Sequence, residues 1–123
     1  PFVEDAVIDR GIAAARNGEG AVAALPLRDT LRRASLEGRI DATVPREGLW
    51  RAQTPQAFPR AILERAYREA RSQHVHATDD AALCERIGLP VRVVDGSERT
   101  MKITDEGDFA RAESLAPPAA RKA

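Results

Sequence analysis

Arg46, Lys102 and the hydroxyls of Thr30, Thr54 and Thr78 form the set in this sequence with the chemistry to hold a phosphate. A guanidinium offers a planar fork of donors, an ammonium a compact charge, and a threonine hydroxyl a donor that costs little to order. Arg46 and Thr54 fall within Thr43–Gln56, a segment that also carries the chain's tryptophan, Trp50. Pro45 and Pro55 fix their own backbone and bias the preceding residues toward extended geometry, so the segment reads as a stiff connection between elements. Thr78 stands where an N-cap belongs, and the free N–H groups and dipole of a helix start favour an anion there. Lys102 lies within Met101-Lys102-Ile103, read as part of a strand, where alternation turns it from the core toward a cleft. The residues alone leave a second reading open, with Trp50 a core anchor, the arginine and lysine solvated, and Thr78 a plain cap.

Other chemistries find less support. His74 and His76 alternate as strand ligands do, yet without a nearby third His, Cys or carboxylate they fall short of a zinc site, and no metal site is expected from these residues. Asp79 and Asp80 are adjacent at a helix start, where they do not face each other and the helix dipole explains them. Cys84 sits in the apolar-patterned run Ala81–Cys84 and reads as a reduced core residue. Gly18 and Gly20 flank Glu19 without the spacing of a Rossmann or P-loop phosphate fingerprint.

The elements that position these groups follow from periodicity. Glu4–Arg16 carries Val7, Ile8, Ile12 and Ala15 at helical spacing and stops at Asn17-Gly18. Ala21–Leu25 is a short apolar run ended by Pro26, as in a buried parallel strand. Leu27–Arg33 and Arg39–Val44 read as a polar hairpin around Ser35-Leu36-Glu37-Gly38, with Ile40, Ala42 and Val44 on one face; such a pair is marginal alone and must lie against something. Pro59–Arg71 is a helix with Ile62, Leu63, Ala66, Tyr67 and Ala70 as its stripe. A second helix runs from Thr78 to Gly88. Val91–Val94 and Arg99–Ile103 read as strands around Asp95-Gly96-Ser97, and Thr104 caps a last helix with Phe109 and Ala112 inward. Residues 116–123, with Pro117-Pro118, read as a tail or linker.

With 123 residues the chain is one domain at most, and its 19 basic and 19 acidic residues balance. No basic stripe points to nucleic acid, and the longest apolar run, Ala21–Leu25, is far too short to cross a bilayer. A lone cysteine fits a reducing, cytoplasmic setting.

Four separated blocks, Pro26–Arg33, Thr43–Gln56, Thr78–Ala81 and Met101–Thr104, together resemble the 2-C-methyl-D-erythritol 4-phosphate cytidylyltransferase family of the non-mevalonate isoprenoid pathway. The resemblance runs from Pro1 to about Leu115 and covers the C-terminal half of such an enzyme. It implies an α/β fold, the C-terminal part of a Rossmann-like nucleotidyltransferase sheet, with the hairpin of about residues 27–44 projecting as an arm to a partner subunit of a homodimer. It assigns Arg46 and Lys102 to positioning the acceptor phosphate and Thr30, Thr54 and Thr78 to hydrogen bonds with it. It implies CTP and 2-C-methyl-D-erythritol 4-phosphate as substrates, and Mg²⁺ with ligands not in this chain. The Gly-rich CTP loop and further active-site residues are expected before Pro1, so this chain alone is expected to be inactive. The Ala/Pro-rich end is read as leading into a cyclodiphosphate synthase domain of a bifunctional chain. Pro45 departs from the family's usual Asp, and Gly107 from a carboxylate that helps cap the last helix. A non-catalytic dimerisation module and a nucleotidyltransferase for a sugar or the molybdenum cofactor are the alternatives.

Overall fold

Strand β1, Gly20–Pro26, is the centre of the fold, because Ala21, Val22, Ala23 and Ala24 leave almost no surface to water. In the computed structural model, which describes residues 1–116, β1 pairs in parallel with β5 (Val91–Asp95) and antiparallel with β4 (Trp50–Ala57), giving the order β4-β1-β5. The expectation of an α/β fold with a buried parallel strand is met. The expected stiff connection over 43–56 is corrected, since its second half is the edge strand β4. Proline lacks an N–H for the ladder, and Pro55 lies opposite the register shift between Val22 and Ala24, where regular pairing is interrupted. Trp50, at the start of this edge, is 42% exposed and is no core anchor.

Helix α1, Asp5–Arg16, buries Val7, Gly11 and Ala14 at a spacing of four and three. The expected stripe is therefore rotated, leaving Ile8 and Ile12 substantially exposed. The cause is size: a Cβ on Gly11 would lie 3.2 Å from that of Ala57, so glycine lets the helix approach β4 where isoleucine could not. Helix α2 (Arg60–Ser72) packs Ala66 and Ala70 against Leu83 and Cys84 of α3 (Asp80–Arg86) and against Leu89. Cys84 is fully buried, as its apolar pattern predicts, and burial pushes its thiol up, keeping it protonated. Tyr67, expected in the stripe, is instead exposed and donates to Asp80 Oδ1.

Residues 31–34 and 40–44 form β2 and β3, the arm, which pair with each other and with no strand of the main sheet. Leu27 N–H donates to Leu49 O at 3.0 Å and closes the base. Ile40 and most of the arm stay exposed, and Leu36 stands fully in solvent at its tip.

The strand expected over 99–103 is a single 3₁₀ turn, Glu98–Thr100, followed by extended chain. Ser97 causes this: its Oγ accepts from Arg99 N at 3.2 Å and its carbonyl from Thr100 N at 3.0 Å, a turn that competes with strand pairing. The last helix, α4, is Glu106–Leu115, and its cap is Asp105 rather than Thr104. Asp105 and Asp108 form a capping box, which supplies the carboxylates that Gly107 lacks. Hydrogen bonds from the Thr104 and Asp105 backbones hold the Asp108 carboxyl below its ordinary range. Ala112 is buried, but Phe109 is 58% exposed, against the expected inward placement. The tail or linker expected to residue 123 lies, from residue 117 onward, outside the described residues.

Gly96 shows how tightly the turn meets β1. A Cβ there would stand 2.2 Å from Gln53 Oε1 and 3.1 and 3.2 Å from Ala24 O and N. Gln53 cannot simply swing away, because its amide holds Ser97 through both ends: Nε2 donates to Ser97 O at 2.9 Å and Oε1 accepts from Ser97 N at 3.1 Å. Gly96→Ala is therefore expected to cost about 1–3 kcal/mol, read as a lowered urea midpoint. An unchanged midpoint would contradict this packing.

Candidate active site

A cleft of about 610 Å³ opens where β4, the 3₁₀ turn and the start of α4 meet, and Thr54 and Lys102 both line it. Thr54 is delivered by β4, next to Pro55 across a cis peptide bond. Lys102 is delivered by the extended stretch after Thr100, where no ladder constrains its direction. Both side chains are exposed to the cleft's solvent.

The charges around this cleft are mostly committed to one another. Glu98 accepts from Arg51 at 2.9 Å and from Arg111 at 3.4 Å. Asp108 is occupied by the backbone N–H groups of Thr104 and Asp105 at 2.7 and 3.2 Å. Asp79 caps α3 through Ala82 N at 2.9 Å and accepts from Gln56 Nε2 at 3.0 Å. Lys102 has no ion pair among the described residues, so of the three cations lining the cleft it is the one left to answer an arriving anion. Its charge meets no competing carboxylate that a ligand must displace.

Thr78 is not the cap expected of it. Asp79 takes that place, and α3 is only a short helix, so this helix start offers no anion site. Thr78 stays beside the cleft, exposed, one residue before the Asp79 that lines it. Thr30 and Arg46 are not brought there at all. Both stand at the base of the arm, where Arg46 Nη1 donates to the Arg28 carbonyl, and neither lines the cleft. Within one chain the five expected residues thus form two groups, Thr54, Lys102 and Thr78 at the sheet's end, and Thr30 and Arg46 on the arm.

Sequence reading missed the glutamines that build this wall. Gln53 and Gln56 sit three apart on β4 and fasten, respectively, the Ser97 turn and the Asp79 cap. Only recognition of β4 as a strand would have singled them out. It also missed Thr100, which is buried in the cleft wall and whose Oγ1 has no hydrogen-bond partner among the described residues. Leaving a hydroxyl so costs about 1–3 kcal/mol.

The described residues contain no group of three or more His, Cys, Asp or Glu side chains able to hold a metal ion. No described helix is long and apolar enough to cross a membrane.

Comparison with known proteins gives this arrangement a context. The chain is 44% identical over 115 residues to the 2-C-methyl-D-erythritol 4-phosphate cytidylyltransferase of Syntrophus aciditrophicus, covering 94% of this chain and 49% of that protein. It is 45% identical over 120 residues to the bifunctional enzyme IspD/IspF of Chelativorans sp., covering 97% of this chain and 29% of that one. The crystal structure of the 2-C-methyl-D-erythritol 4-phosphate cytidylyltransferase from Thermus thermophilus superposes with a TM-score of 0.86 at 39% identity, over 94% of this chain and 56% of that chain. The chain thus spans about half the length of single-function relatives it matches. With a family model matching residues 1–116 as well, the chain belongs to the 2-C-methyl-D-erythritol 4-phosphate cytidylyltransferase family.

Proposed function

We propose that this chain supplies the acceptor side of a nucleotidyl-transfer site in isoprenoid biosynthesis. 2-C-methyl-D-erythritol 4-phosphate binds in the cleft, with Lys102 and Thr54 on its phosphate and Thr78 at the margin. A phosphate oxygen attacks the α-phosphorus of CTP, the new P–O bond forms as the bond to the β-phosphate side breaks, and pyrophosphate leaves. Chemistry of this kind depends on positioning and charge neutralisation, and needs no nucleophile from the protein. The observation that carries the reading is Lys102, the cleft cation without an ion pair among the described residues.

Arg46 and Thr30 enter the proposal through a second copy of the chain. The arm pairs with no strand of the main sheet and keeps its apolar Ile40 and Leu36 exposed, as an element that packs on a partner does. A homodimer with crossed arms would bring these residues to the neighbouring cleft. We place the protein in the cytoplasm, with Mg²⁺ accompanying the CTP triphosphate. Family membership favours this reading over a nucleotidyltransferase for a sugar or the molybdenum cofactor and over a non-catalytic dimerisation module.

Pyrophosphate release tests the assignment. In the protein at its full encoded length, release from CTP is expected with 2-C-methyl-D-erythritol 4-phosphate and not with a sugar 1-phosphate. Release that ignores the methylerythritol phosphate, or prefers the sugar phosphate, would overturn it.

A further inference from the structure

Ser97 has extended backbone (φ −147°, ψ 143°), so its N–H and C=O point to the same side, as in a strand residue that faces a partner. No strand pairs with it among the described residues. The partner is the side-chain amide of Gln53, whose Nε2 donates to Ser97 O at 2.9 Å and whose Oε1 accepts from Ser97 N at 3.1 Å. Glutamine can do this because one planar amide carries a donor and an acceptor side by side.

Gln53 lies in the cleft wall, one residue before Thr54 on β4. Ser97 opens the stretch that leads to Lys102: the 3₁₀ turn Glu98–Thr100, with Thr100 buried, and then the extended Met101. Lys102 itself belongs to no helix or strand, so its place is inherited from this turn. On the flank before the turn, Gly96 N–H donates to Ala24 O of β1 at 2.9 Å. Toward β4 the ties are the Gln53 amide and the pair of Arg51 with Glu98 at 2.9 Å, two residues away on the same side of the strand. The ion pair is exposed and therefore weak, whereas the two Gln53 hydrogen bonds are part-buried. The amide is thus the main tie between the strand that carries Thr54 and the turn that aims Lys102.

We infer that Gln53 is a positioning residue for the transfer reaction: through Ser97 it fixes Lys102 relative to Thr54, so that both meet one acceptor phosphate. The inference rests on the reading of the cleft as the acceptor site. Groups that share a phosphate must be held closely, since a misplacement of roughly 1 Å can cost about a hundredfold in rate. Gln53 acts through the turn, because both ends of its amide are engaged by Ser97.

Its test is pyrophosphate release by the protein at full encoded length, measured for wild type, Gln53→Met, Lys102→Ala and the double variant below every thermal midpoint. Gln53→Met keeps the length of the side chain and loses both hydrogen bonds. It is expected to lower kcat/KM for 2-C-methyl-D-erythritol 4-phosphate about tenfold, while the KM for CTP stays within about twofold of wild type. On the Lys102→Ala background the same substitution is expected to change kcat/KM by less than about twofold, because the group it positions is gone. Gln53→Asn keeps the amide one methylene short of Ser97, and it replaces Gln53→Met with the same expectations should that variant not fold. Wild-type kcat/KM in the Gln53 variant, with Lys102→Ala impaired, overturns the role of Gln53 and leaves the cleft reading standing. So does a loss repeated in full on the Lys102→Ala background, or one shared equally by both substrates, since either marks a general distortion. Wild-type kcat/KM in Lys102→Ala overturns the cleft reading itself, and this inference with it.

Discussion

Lys102→Ala is expected to lower kcat/KM for 2-C-methyl-D-erythritol 4-phosphate by roughly one to two orders of magnitude or more, with the KM for CTP almost unmoved. A charge-assisted hydrogen bond is worth about 1.5–3 kcal/mol, and each 1.4 kcal/mol is a factor of about ten. The full effect is expected because the described residues offer no substitute: Arg51 and Arg111 share Glu98, and turning either toward the ligand breaks an existing pair. The split between the two substrates separates this from a general loss of structure, which would affect both. Lys102 is exposed and makes no ion pair among the described residues, so its removal should leave the thermal midpoint within about 0.5 kcal/mol of wild type in stability. Wild-type kcat/KM in a folded Lys102→Ala variant would return the lysine to the solvent.

Arg46→Ala is expected to cost as much, by a different route. Arg46 stands at the base of the arm beside the Arg28 carbonyl and does not line the cleft of its own chain. If it serves the cleft of a partner, each site in a homodimer draws Lys102 from one copy and Arg46 from the other. Mixing the two impaired variants, Arg46→Ala and Lys102→Ala, then restores one intact site in every mixed dimer, and about a quarter of wild-type activity at random one-to-one exchange. Were both residues drawn from one copy, mixed dimers would contain no intact site and activity would stay at the level of the separate variants. Arg46→Lys keeps the charge and loses the planar fork, so partial activity is expected where the fork grips phosphate through two donors. The mixing experiment distinguishes an arm that completes a neighbour's site from one that serves only as a contact.

Most of the scaffold was legible because its periodicities are strong. The apolar run of β1, the stripe of α2 and the turn-bounded hairpin each match one template only. β4 was not legible: Trp50–Ala57 has no apolar alternation, and Pro55 argues against a strand unless the interrupted pairing opposite Val22 and Ala24 is known. That partner is remote in sequence, so no local pattern reports it. The same holds for α1, where the buried stripe follows Gly11 because of Ala57 on β4, a tertiary contact that outweighs the larger side chains of Ile8 and Ile12. In the site, Lys102 lines the cleft but was read on the wrong element, since the Ser97 turn replaces the expected strand. Thr78 was credited with the cap that Asp79 makes, because threonine and aspartate are near-equal cap formers and only the partner N–H distinguishes them. Thr100 gave no signal at all, as an unpaired hydroxyl exists only once its surroundings are folded around it.

A crystal structure of the protein at full encoded length with 2-C-methyl-D-erythritol 4-phosphate bound tests the central claim most directly. The phosphate is expected in the cleft between β4 and the 3₁₀ turn, with a phosphate oxygen at about 2.7–3.2 Å from Lys102 Nζ and another group of the ligand within reach of Thr54. A phosphate bound elsewhere, with Lys102 still extended into solvent, would contradict it.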